Sequence, residues 1–294
     1  MEKKYSSVAL GIFDGVHLGH RAVINASLAQ KKNGLAASVF TFEPECALRK
    51  AGGSSGYIYT EAEKEMILWE QIGVDDVFSP PFGSLCELSG EEFAREILAG
   101  RMRAVHVCCG EDFRFGKMAS CGAVELKSFG ERFGFEVEIV GEVDIGGSAV
   151  SSSRIRALLL KGDIISANSL LGSDYFISVE VSDGNHIGRT MNFPTINQKF
   201  ENGQLVPKYG VYSTITYADG QEYCSITNVG VKPTINGERS PLAETHIIGY
   251  SGDLYGKTVT VSFRDFVRPE RKFDSLDELK KQINADIESV MNIF

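Results

Sequence analysis

Residues Gly11 to His20 read Gly-Ile-Phe-Asp-Gly-Val-His-Leu-Gly-His, and this stretch decides the fold of the N-terminal half of the chain. It follows Ser7 to Leu10, an apolar run with the length of a buried strand, and precedes the helical pattern of Arg21 to Lys32. A strand that turns through glycines into a helix presents backbone N–H groups at the positive end of a helix dipole. The stretch therefore predicts a binding site for phosphate.

Two histidines stand at the anion-binding end of this stretch. His17 and His20 are three residues apart, so on a helical turn they project from the same side. No neighbouring carboxylates or cysteines complete a zinc site, so the pair is suited to donating hydrogen bonds to phosphate oxygens. Gly15 and Gly19 leave the backbone open to a ligand. The alternative is a glycine turn with two surface histidines.

The composition is that of an ordinary globular protein, and it excludes several classes of partner. The chain has 294 residues, 43% of them hydrophobic, and a formal charge of −9, which argues against a nucleic-acid partner. No apolar run approaches the roughly 20 residues that cross a bilayer, and no secretory segment opens the chain, so we expect a cytoplasmic protein. Six cysteines lack paired spacing, and Cys108 and Cys109 are interpreted as core thiols.

The first half of the chain alternates strands and helices. Leu35 to Phe42 and Ala104 to Cys109 read as buried strands, and Ser89 with Glu92 predicts a capping box that opens a helix. Gly34 is expected to end the first helical segment, and Ala123 to Phe133 to form another helix. This alternation predicts an α/β fold with a parallel sheet covered on both faces.

The pattern changes near residue 173. From Tyr175 to Phe266 short β segments alternate with glycine and proline turns, which predicts an antiparallel β-barrel without a long helix. Ser275 and Glu278 predict a second capping box, and the terminal helix that follows is expected to pack on the barrel or to plug its end with one apolar face: Leu276, Leu279, Ile283, Ile287 and Val290. We therefore predict two domains, residues 1–172 and 173–294.

Two further motifs of the first domain point to ligands. Ser151 to Ser153 supply hydroxyls at a helix start, and Arg156, one turn further, can reach the same anion, although a capped helix with surface arginines explains the pattern equally well. Gly110 to Lys117 lacks the spacing of a Walker A loop. Its Phe113 and Phe115 suit a flat aromatic ligand, the alternative being aromatic side chains that pack inward.

The second domain carries a candidate metal site and a candidate base. A turn fixed by Pro194 is predicted to display Thr195 and Asn197 on the same side, two residues apart, where they offer hard oxygen ligands for Mg²⁺. A turn capped by its own asparagine is the commoner explanation of Pro-Thr-x-Asn. Glu244 stands in an apolar β segment on the same face as His246, and it is the candidate general base. A cross-strand partner for a lysine or arginine is the alternative role for this glutamate.

Phe13 to His20 resembles the His-x-Gly-His nucleotidylyltransferases, in particular the bacterial bifunctional riboflavin kinase/FAD synthetases. Val150 to Arg156 is similar to the Ser-Ser-Thr-x-x-Arg signature of the same superfamily, and Pro194 to Asn197 to the Pro-Thr-Ala-Asn signature of riboflavin kinases. The resemblance implies a Rossmann-like domain that transfers AMP from ATP to FMN. It also implies a barrel domain that phosphorylates riboflavin with ATP, with Mg²⁺ in both reactions.

The resemblance also implies roles for individual residues. Catalysis falls to His17, His20, Arg156 and Glu244. The nucleotide contacts are Gly11, Phe13, Asp14, Gly15, Gly19, Ser152, Gly184, Gly188 and Arg189. The flavin contacts are Asp112, Phe113, Phe115, Gly210, Tyr212 and Arg268. Thr195 and Asn197 are the metal ligands. The partners are then ATP, riboflavin and FMN, with no nucleic acid and no membrane.

The chain departs from the family pattern at several positions. In the second domain the family has Gly, His and Gly before the Pro-Thr-Ala-Asn signature, whereas this chain carries Val179, Asp183 and Asn192, and Ile196 replaces the Ala of the signature. In the first domain Ile12 replaces Asn or Thr, and Glu45-Cys46 replaces His-Pro. Two other functions are possible: an enzyme with one active module, and a flavin- or nucleotide-binding sensor without catalysis. The sensor is disfavoured, because binding alone would not require both histidines, both metal-ligand candidates and Glu244.

Overall fold

The computed structural model describes residues 5–44, 56–182, 193–233 and 239–291. Its contacts divide the chain into two compact units, Met1–Ser153 and Arg154–Phe294. The predicted domain boundary between residues 172 and 173 stays a prediction. Several residues named above lie outside the described ranges: Gly184, Gly188, Arg189, Asp183, Asn192, Glu45 and Cys46.

A parallel sheet of five strands forms the centre of the first unit. The strands of this unit are β1 (Ser6–Leu10), β2 (Ala36–Phe40), β3 (Asp76–Phe78), β4 (Ala104–Gly110), the short ribbon β5 (Arg114–Phe115) and β6 (Cys121–Gly122), and β7 (Glu136–Val140). The order in the sheet is β3-β2-β1-β4-β7, and β1 is buried at every position. The predicted parallel sheet is confirmed, and its central strand leads into the glycine-rich turn.

Helices on this sheet begin and end at local signals that the sequence displays. They are α1 (Leu18–Ala29), α2 (Glu61–Met66, continued by a π-helix at Ile67–Ile72), α3 (Phe82–Leu85), α4 (Gly90–Glu92, continued by a π-helix at Phe93–Arg101) and α5 (Ala123–Phe133). Ser89 and Glu92 form the predicted capping box, and Gly34 ends the segment after α1 with a left-handed φ of 79°. These local predictions are confirmed.

The carboxyl ends of the central strands lie side by side. Leu10 of β1 pairs with Phe40 of β2 and with Cys109 of β4, so the chain leaves all three strands at one edge of the sheet. Packing of Val8, Leu10 and Phe40 in a common core with Phe93 and Leu126 holds this edge rigid. Open α/β sheets bind their ligands at such an edge.

The second unit is a nearly closed antiparallel barrel with helices attached. Its elements are α6 (Ser152–Lys161, beginning two residues before the unit), α7 (Ile164–Leu171), β8 (Phe176–Glu180), β9 (Thr195–Lys199), β10 (Gly210–Ala218), β11 (Gln221–Pro233), β12 (Arg239–Ile247), β13 (Thr258–Arg268) and α8 (Leu276–Met291). The strand order is β8-β13-β10-β11-β12-β9, and a bridge between Ser182 and Asn197 links its two ends. The predicted barrel is confirmed, and in the described part of residues 175–266 it contains no helix.

The barrel interior contains a chain of hydroxyl groups. Thr214 hydrogen-bonds Ser225 at 2.8 Å and Thr227 at 2.9 Å, and Thr227 in turn hydrogen-bonds Thr245 at 2.8 Å. All four residues are fully buried. Because each hydroxyl both donates and accepts, the chain satisfies these polar groups without water and ties β10, β11 and β12 together.

Helix α8 packs on the outer face of the barrel, as predicted. Val290 and Ile287 contact Val211 and Ile226 of the barrel strands. Leu276 does not share this face: its side chain is 60% exposed, because it stands at the first position of the helix, before the contact begins. Every helix in the described residues is too short or too polar to traverse a lipid bilayer.

The second predicted capping box forms only in part. The Ser275 hydroxyl accepts a hydrogen bond from the backbone N–H of Glu278 at 3.2 Å. The Glu278 carboxylate, however, accepts from the N–H of Asp274 at 3.3 Å and not from that of Ser275. The Glu278 carboxylate therefore bonds the N–H one residue before the one expected in a capping box, and the prediction of a complete capping box is wrong.

An ion pair anchors α8 to the end of β13. Asp286 accepts from Nε of Arg268 at 3.0 Å and from its Nη2 at 2.7 Å, a bidentate arrangement. The Asp286 side chain is 5% exposed and also accepts from Gln282 at 2.8 Å. The carboxylate is therefore buried with its hydrogen-bonding capacity used.

Replacing Asp286 with alanine is expected to loosen α8. The change leaves the Arg268 guanidinium without its carboxylate in a poorly solvated position, and breaking a buried pair costs about 3 kcal/mol of the free energy of unfolding. Hydrogen exchange measured by mass spectrometry on peptides from residues 276–291 should become faster. Asp277→Ala, at an exposed position of the same helix, is the control; equal exchange in the two variants would contradict the role of the pair.

Candidate functional site

The two histidines of the first unit lie together at the start of α1. His17 is the N-cap of α1, and its Nδ1 accepts a hydrogen bond from the backbone N–H of His20 at 3.3 Å. The two imidazole rings stack with centroids 3.6 Å apart and an angle of 17° between their planes. Because Nδ1 of His17 is an acceptor here, the neutral ring carries its hydrogen on Nε2 and can donate from that atom.

The turn that precedes α1 has a strained backbone. Phe13 and Val16 have φ values of 51° and 40°, and Gly15 has a φ of 83°. A positive φ at the β-branched Val16 is rare and costs of order 1–3 kcal/mol. Backbone strain of this kind is concentrated at functional sites, where surrounding contacts hold it in place.

Contacts from distant parts of the first unit hold the turn. The Ser152 hydroxyl donates to the carbonyl oxygen of Asp14 at 2.8 Å, and the Asp14 carboxylate accepts from the N–H of Ile58 at 2.8 Å. Thr41 donates to the carbonyl oxygen of Ile12 at 2.8 Å. The predicted residues Asp14 and Ser152 are thus brought to the same turn as the histidines.

Two glycines of the turn make room for aromatic rings. A Cβ at Gly11 would lie 2.7 Å from the ring of Phe13, which in turn meets the ring of His20 edge-on at 5.3 Å. A Cβ at Gly19 would lie 3.2 Å from Cε1 of His17. Gly11 and Gly19 therefore allow the packing that orients the two imidazoles.

Sequence reasoning missed Thr41, Ile58 and Lys64. Lys64 is buried at 2% exposure, and its ammonium group donates to the Thr41 hydroxyl at 3.3 Å and to the carbonyl oxygen of Phe42. The charge of Lys64 thus lies at the carboxyl end of β2, beside the strained turn. No local pattern marks these residues, because each acts through a contact with a distant segment.

The segment after β4 places its two aromatic residues differently. Phe115 is buried in the core, with its ring centroid 5.6 Å from that of Phe93. Phe113 is only partly buried, and its ring stacks on that of Phe115 at 5.7 Å. Asp112 stands close to Gly110, where a Cβ would lie 3.2 Å from the carboxylate. Phe113 therefore has the accessible ring, and the flavin roles of these residues stay predictions.

A buried polar group lies beneath α1. His106 shares a hydrogen bond with the Ser7 hydroxyl at 2.8 Å through Nδ1, and its Nε2 lies 3.4 Å from the Glu138 carboxylate. Cys108 lies 3.5 Å from Nδ1 of His106. His106, Cys108 and Glu138 form the one cluster of potential metal ligands found in the described residues. Both ring nitrogens already face a partner. Burial raises the pKa of Cys108 to about 12 and that of Cys109 to about 11, so both thiols stay protonated.

Arg156 belongs to the second unit, where it lies on α6 and is 6% exposed.

The candidate kinase residues form a row across three barrel strands. Asn197 of β9 is directly opposite Glu244 of β12, and Glu244 is directly opposite Asn228 of β11. Thr195 and His246 form the next cross-strand pair on the same face. Residues opposite each other in an antiparallel sheet have Cβ atoms about 5 Å apart. The structure therefore brings Thr195, Asn197 and Glu244 together, and adds Asn228 to them.

The start of β9 is fixed by the histidine of this row. Nδ1 of His246 lies 2.9 Å from the carbonyl oxygen of Pro194, and the ring of Phe193 meets that of His246 edge-on at 5.4 Å. Thr195 and Asn197 lie in a strand immediately after Pro194, and not in a turn as predicted. The strand gives them the same-side arrangement because its side chains alternate between faces.

The three predicted flavin contacts of this unit already have partners within the fold. Gly210, at φ 151°, approaches the end of β13 so closely that a Cβ would lie 2.5 Å from the carbonyl oxygen of Arg268. Tyr212 is fully buried, donates to the carbonyl oxygen of Lys208, and has its pKa raised by burial. Arg268 pairs with Asp286. Their flavin roles stay predictions.

Comparison with known families accounts for both units. The family model described as FAD synthetase matches residues 1–154, and the model described as riboflavin kinase matches residues 171–294. The bifunctional riboflavin kinase/FMN adenylyltransferase of Escherichia coli (strain K12) is 33% identical over 282 residues, covering 95% of this chain and 90% of the relative. The protein of the same name from Bacillus subtilis (strain 168) is 33% identical over 304 residues, covering 100% and 94%.

A solved structure is similar over the same length. A Streptococcus pneumoniae protein named macrolide-efflux protein has a TM-score of 0.84 and 32% sequence identity, covering 99% of this chain and 95% of that chain. The two family models match in the order FAD synthetase and then riboflavin kinase, and the named relatives cover nearly the whole chain. The chain therefore belongs to the family of bifunctional riboflavin kinase/FMN adenylyltransferases and carries both enzymatic domains.

Proposed function

We propose that the two activities use two separate sites, one in residues 1–172 and one in residues 173–294. The first site is the strained turn with His17 and His20, where AMP passes from ATP to FMN. The second is the row around Glu244, where riboflavin is phosphorylated. One observation carries this proposal: each unit contains its own group of converging polar side chains, the stacked histidines in the first and the Asn197–Glu244–Asn228 row in the second.

Adenylyl transfer needs positioning and charge neutralisation more than a protein nucleophile. An oxygen of the FMN phosphate attacks the α-phosphorus of ATP, the bond to the bridging oxygen breaks, and pyrophosphate leaves. In our proposal His17 donates from Nε2 to a phosphate oxygen in the transition state, and the stacked His20 lies next to it. Gly11, Phe13, Asp14, Gly15, Gly19 and Ser152 contact the nucleotide, and Arg156 binds the departing pyrophosphate.

The flavin of FMN is assigned to the segment after β4. Asp112, Phe113 and Phe115 follow the strand that lies next to β1, so they stand at the ligand-binding edge of the sheet. The partly exposed ring of Phe113 offers a stacking surface, and Phe115 supports it from the core. This placement would bring the FMN phosphate toward the histidines.

Phosphorylation of riboflavin needs a base for its primary hydroxyl. Glu244 is the assigned base: its carboxylate takes the proton of the 5′-hydroxyl while the oxygen attacks the γ-phosphorus of ATP and ADP leaves. Asn197 and Asn228 on either side restrict the positions that this carboxylate can adopt. Gly210, Tyr212 and Arg268 are assigned to the flavin side of the site.

The donor set beside Glu244 fits Mg²⁺. The hydroxyl of Thr195 and the amide oxygen of Asn197 are hard ligands on one face of β9, and water and nucleotide phosphates complete the shell that Mg²⁺ prefers. The ion, when bound, neutralises charge on the phosphates. Thr195 and Asn197 hold it in our proposal, and His246 fixes the backbone before them.

The enzyme acts, in this proposal, on ATP, riboflavin and FMN in the cytoplasm, without a nucleic-acid or membrane partner. The net charge of −9 favours small ligands bound at local positive sites over a polyanion.

Glu244→Gln is expected to stop FMN formation and to leave FAD formation intact. Glutamine keeps the size of the side chain but cannot take the proton, so the kinase rate should fall about 100-fold or more. The protein is incubated with riboflavin, ATP and magnesium, or with FMN, ATP and magnesium, and the flavins are separated by chromatography. Loss of both reactions in a folded Glu244→Gln protein would contradict separate sites.

His20→Ala is expected to have the opposite effect. Removal of one preorganised group from a charged transition state lowers the rate by about 100-fold or more, so FAD should no longer form from FMN while riboflavin is still converted to FMN. The same chromatographic assay measures both. An undiminished rate of FAD formation would exclude the histidine pair from the first site.

Gly11→Ala tests the packing that orients the histidines. The added Cβ would displace the ring of Phe13, which packs edge-on against His20, so FAD formation should slow about tenfold or more, since a misplacement near 1 Å is costly in catalysis. Gly83→Ala, where a Cβ meets nothing within 4 Å, is the matched control and should be neutral. Equal rates in both variants would show that the close packing at Gly11 has no part in catalysis.

A further inference from the structure

A second carboxylate, that of Glu270, lies over β11. A Cβ built on Gly230 would lie 2.1 Å from Oε1 of Glu270 and 2.9 Å from its Cδ. Gly230 has no positive φ, so it is the space above the strand, and not the backbone conformation, that requires glycine there. The carboxyl group of Glu270 fills the volume that any other side chain would occupy.

The same carboxylate reaches an amide of the candidate kinase row. Nδ2 of Asn228 donates to Oε1 of Glu270 at 3.5 Å. Asn228 and Gly230 are two residues apart on β11 and so share one face of the strand. That face also bears Glu244, directly opposite Asn228. Glu270 thus contacts the asparagine that stands opposite Glu244 in the strand register.

A rigid anchor presents Glu270 at this position. Strand β13 ends at Arg268, whose guanidinium is held by Asp286 of α8 and also donates to the carbonyl oxygen of Pro269 at 3.1 Å. The proline ring fixes φ at Pro269, immediately before Glu270. The backbone that carries Glu270 is therefore fixed, although the side chain of Glu270 is solvent-exposed.

We propose that Glu270 is a positioning residue of the riboflavin kinase reaction, acting through Asn228 on Glu244. An amide that donates one Nδ2 hydrogen to Glu270 directs its second Nδ2 hydrogen, which another carboxylate can accept, in a defined direction, and the residue opposite Asn228 on the paired strand is Glu244. Glu270 thereby limits the positions open to the Glu244 carboxylate. The inference rests on the proposed role of Glu244 as the base and adds a residue that touches neither riboflavin nor ATP.

The first test removes the carboxylate. Glu270→Ala should lower kcat for FMN formation about tenfold, the effect of one hydrogen bond to a charged group, with KM for ATP and for riboflavin within about twofold. Glu270→Gln should recover part of the loss, because its amide oxygen still accepts from Asn228. Glu222→Ala, an exposed carboxylate on the same strand, is the matched control and should be neutral.

The second test displaces the carboxylate and keeps its charge. In Gly230→Ala the added Cβ would push aside the end of a flexible side chain, so kcat should fall as in Glu270→Ala. The double variant should be no slower than either single variant, because both changes remove one contact. FAD formation from FMN, measured in every variant, should be unchanged, and thermal unfolding followed by circular dichroism identifies any loss of folding.

Any of the following results would overturn the inference about Glu270. An unchanged kcat in Glu270→Ala excludes a positioning role, and a raised KM with unchanged kcat makes the residue a substrate contact. Multiplicative losses in the double variant show that Gly230 and Glu270 act independently. If Glu270→Ala unfolds the barrel, the folded Glu270→Gln variant decides the question. A kcat for FMN formation as low in Glu270→Gln as in Gly230→Ala also contradicts the inference, because the amide oxygen of glutamine should restore part of the rate. Full kinase activity in Glu244→Gln would instead refute Glu244 as the base. This result distinguishes a failure of the proposed function from a failure of the positioning role of Glu270.

Discussion

The hydrogen bond from the backbone N–H of His20 to Nδ1 of His17 is the constraint on which the first site depends. It caps α1, it leaves the hydrogen of neutral His17 on Nε2, and it brings the two rings within stacking distance. The cap has this geometry only because the preceding turn places Phe13 and Val16 in rare backbone conformations. The strain of the turn and the orientation of the imidazoles are therefore one structural feature.

Contacts with three other segments maintain that strain. Ser152 and Ile58 both hydrogen-bond Asp14, through its carbonyl oxygen and its carboxylate, and Thr41 hydrogen-bonds Ile12; each partner comes from a segment distant in the chain. Three hydrogen bonds of about 1 kcal/mol each offset a substantial part of the cost of two strained residues, which is of order 1–3 kcal/mol each. These contacts fix the turn in its strained conformation. Preorganisation of this kind lowers the cost of binding phosphate.

The sequence predicts those parts of the fold that depend on local signals. Strand β1, the capping box at Ser89 and the end of the first helical segment at Gly34 all follow from neighbouring residues, and all are confirmed. At the second capping box the prediction is correct for Ser275 and wrong for Glu278. The Glu278 carboxylate bonds the N–H of Asp274 and not that of Ser275. A capping box specifies which groups need partners, but the local backbone decides which partner is reached.

Partners that depend on tertiary structure could not be predicted. Thr214 and Thr216 alternate with Ile215 in a way that fits any half-exposed strand, and only barrel closure reveals that the hydroxyls of Thr214, Thr227 and Thr245 satisfy one another. Likewise Phe113 and Phe115 are equivalent in the sequence, yet one ring is in the core and the other is partly exposed. The row around Glu244 was half predictable: Thr195 and Asn197 share a face by spacing alone, whereas Asn228 joins them only through strand register.

The two candidate sites are held by different physical means. The first is a strained loop fixed by hydrogen bonds from distant segments, whereas the second is a row of side chains fixed by the ladder of an antiparallel sheet. In the second unit the ion pair of Arg268 and Asp286 has two consequences, because it attaches α8 to the barrel and also fixes the segment that carries Glu270. Loosening α8 therefore also frees the segment that carries Glu270, whose carboxylate accepts from Asn228, so the stability of the terminal helix and the position of this carboxylate depend on the same contact.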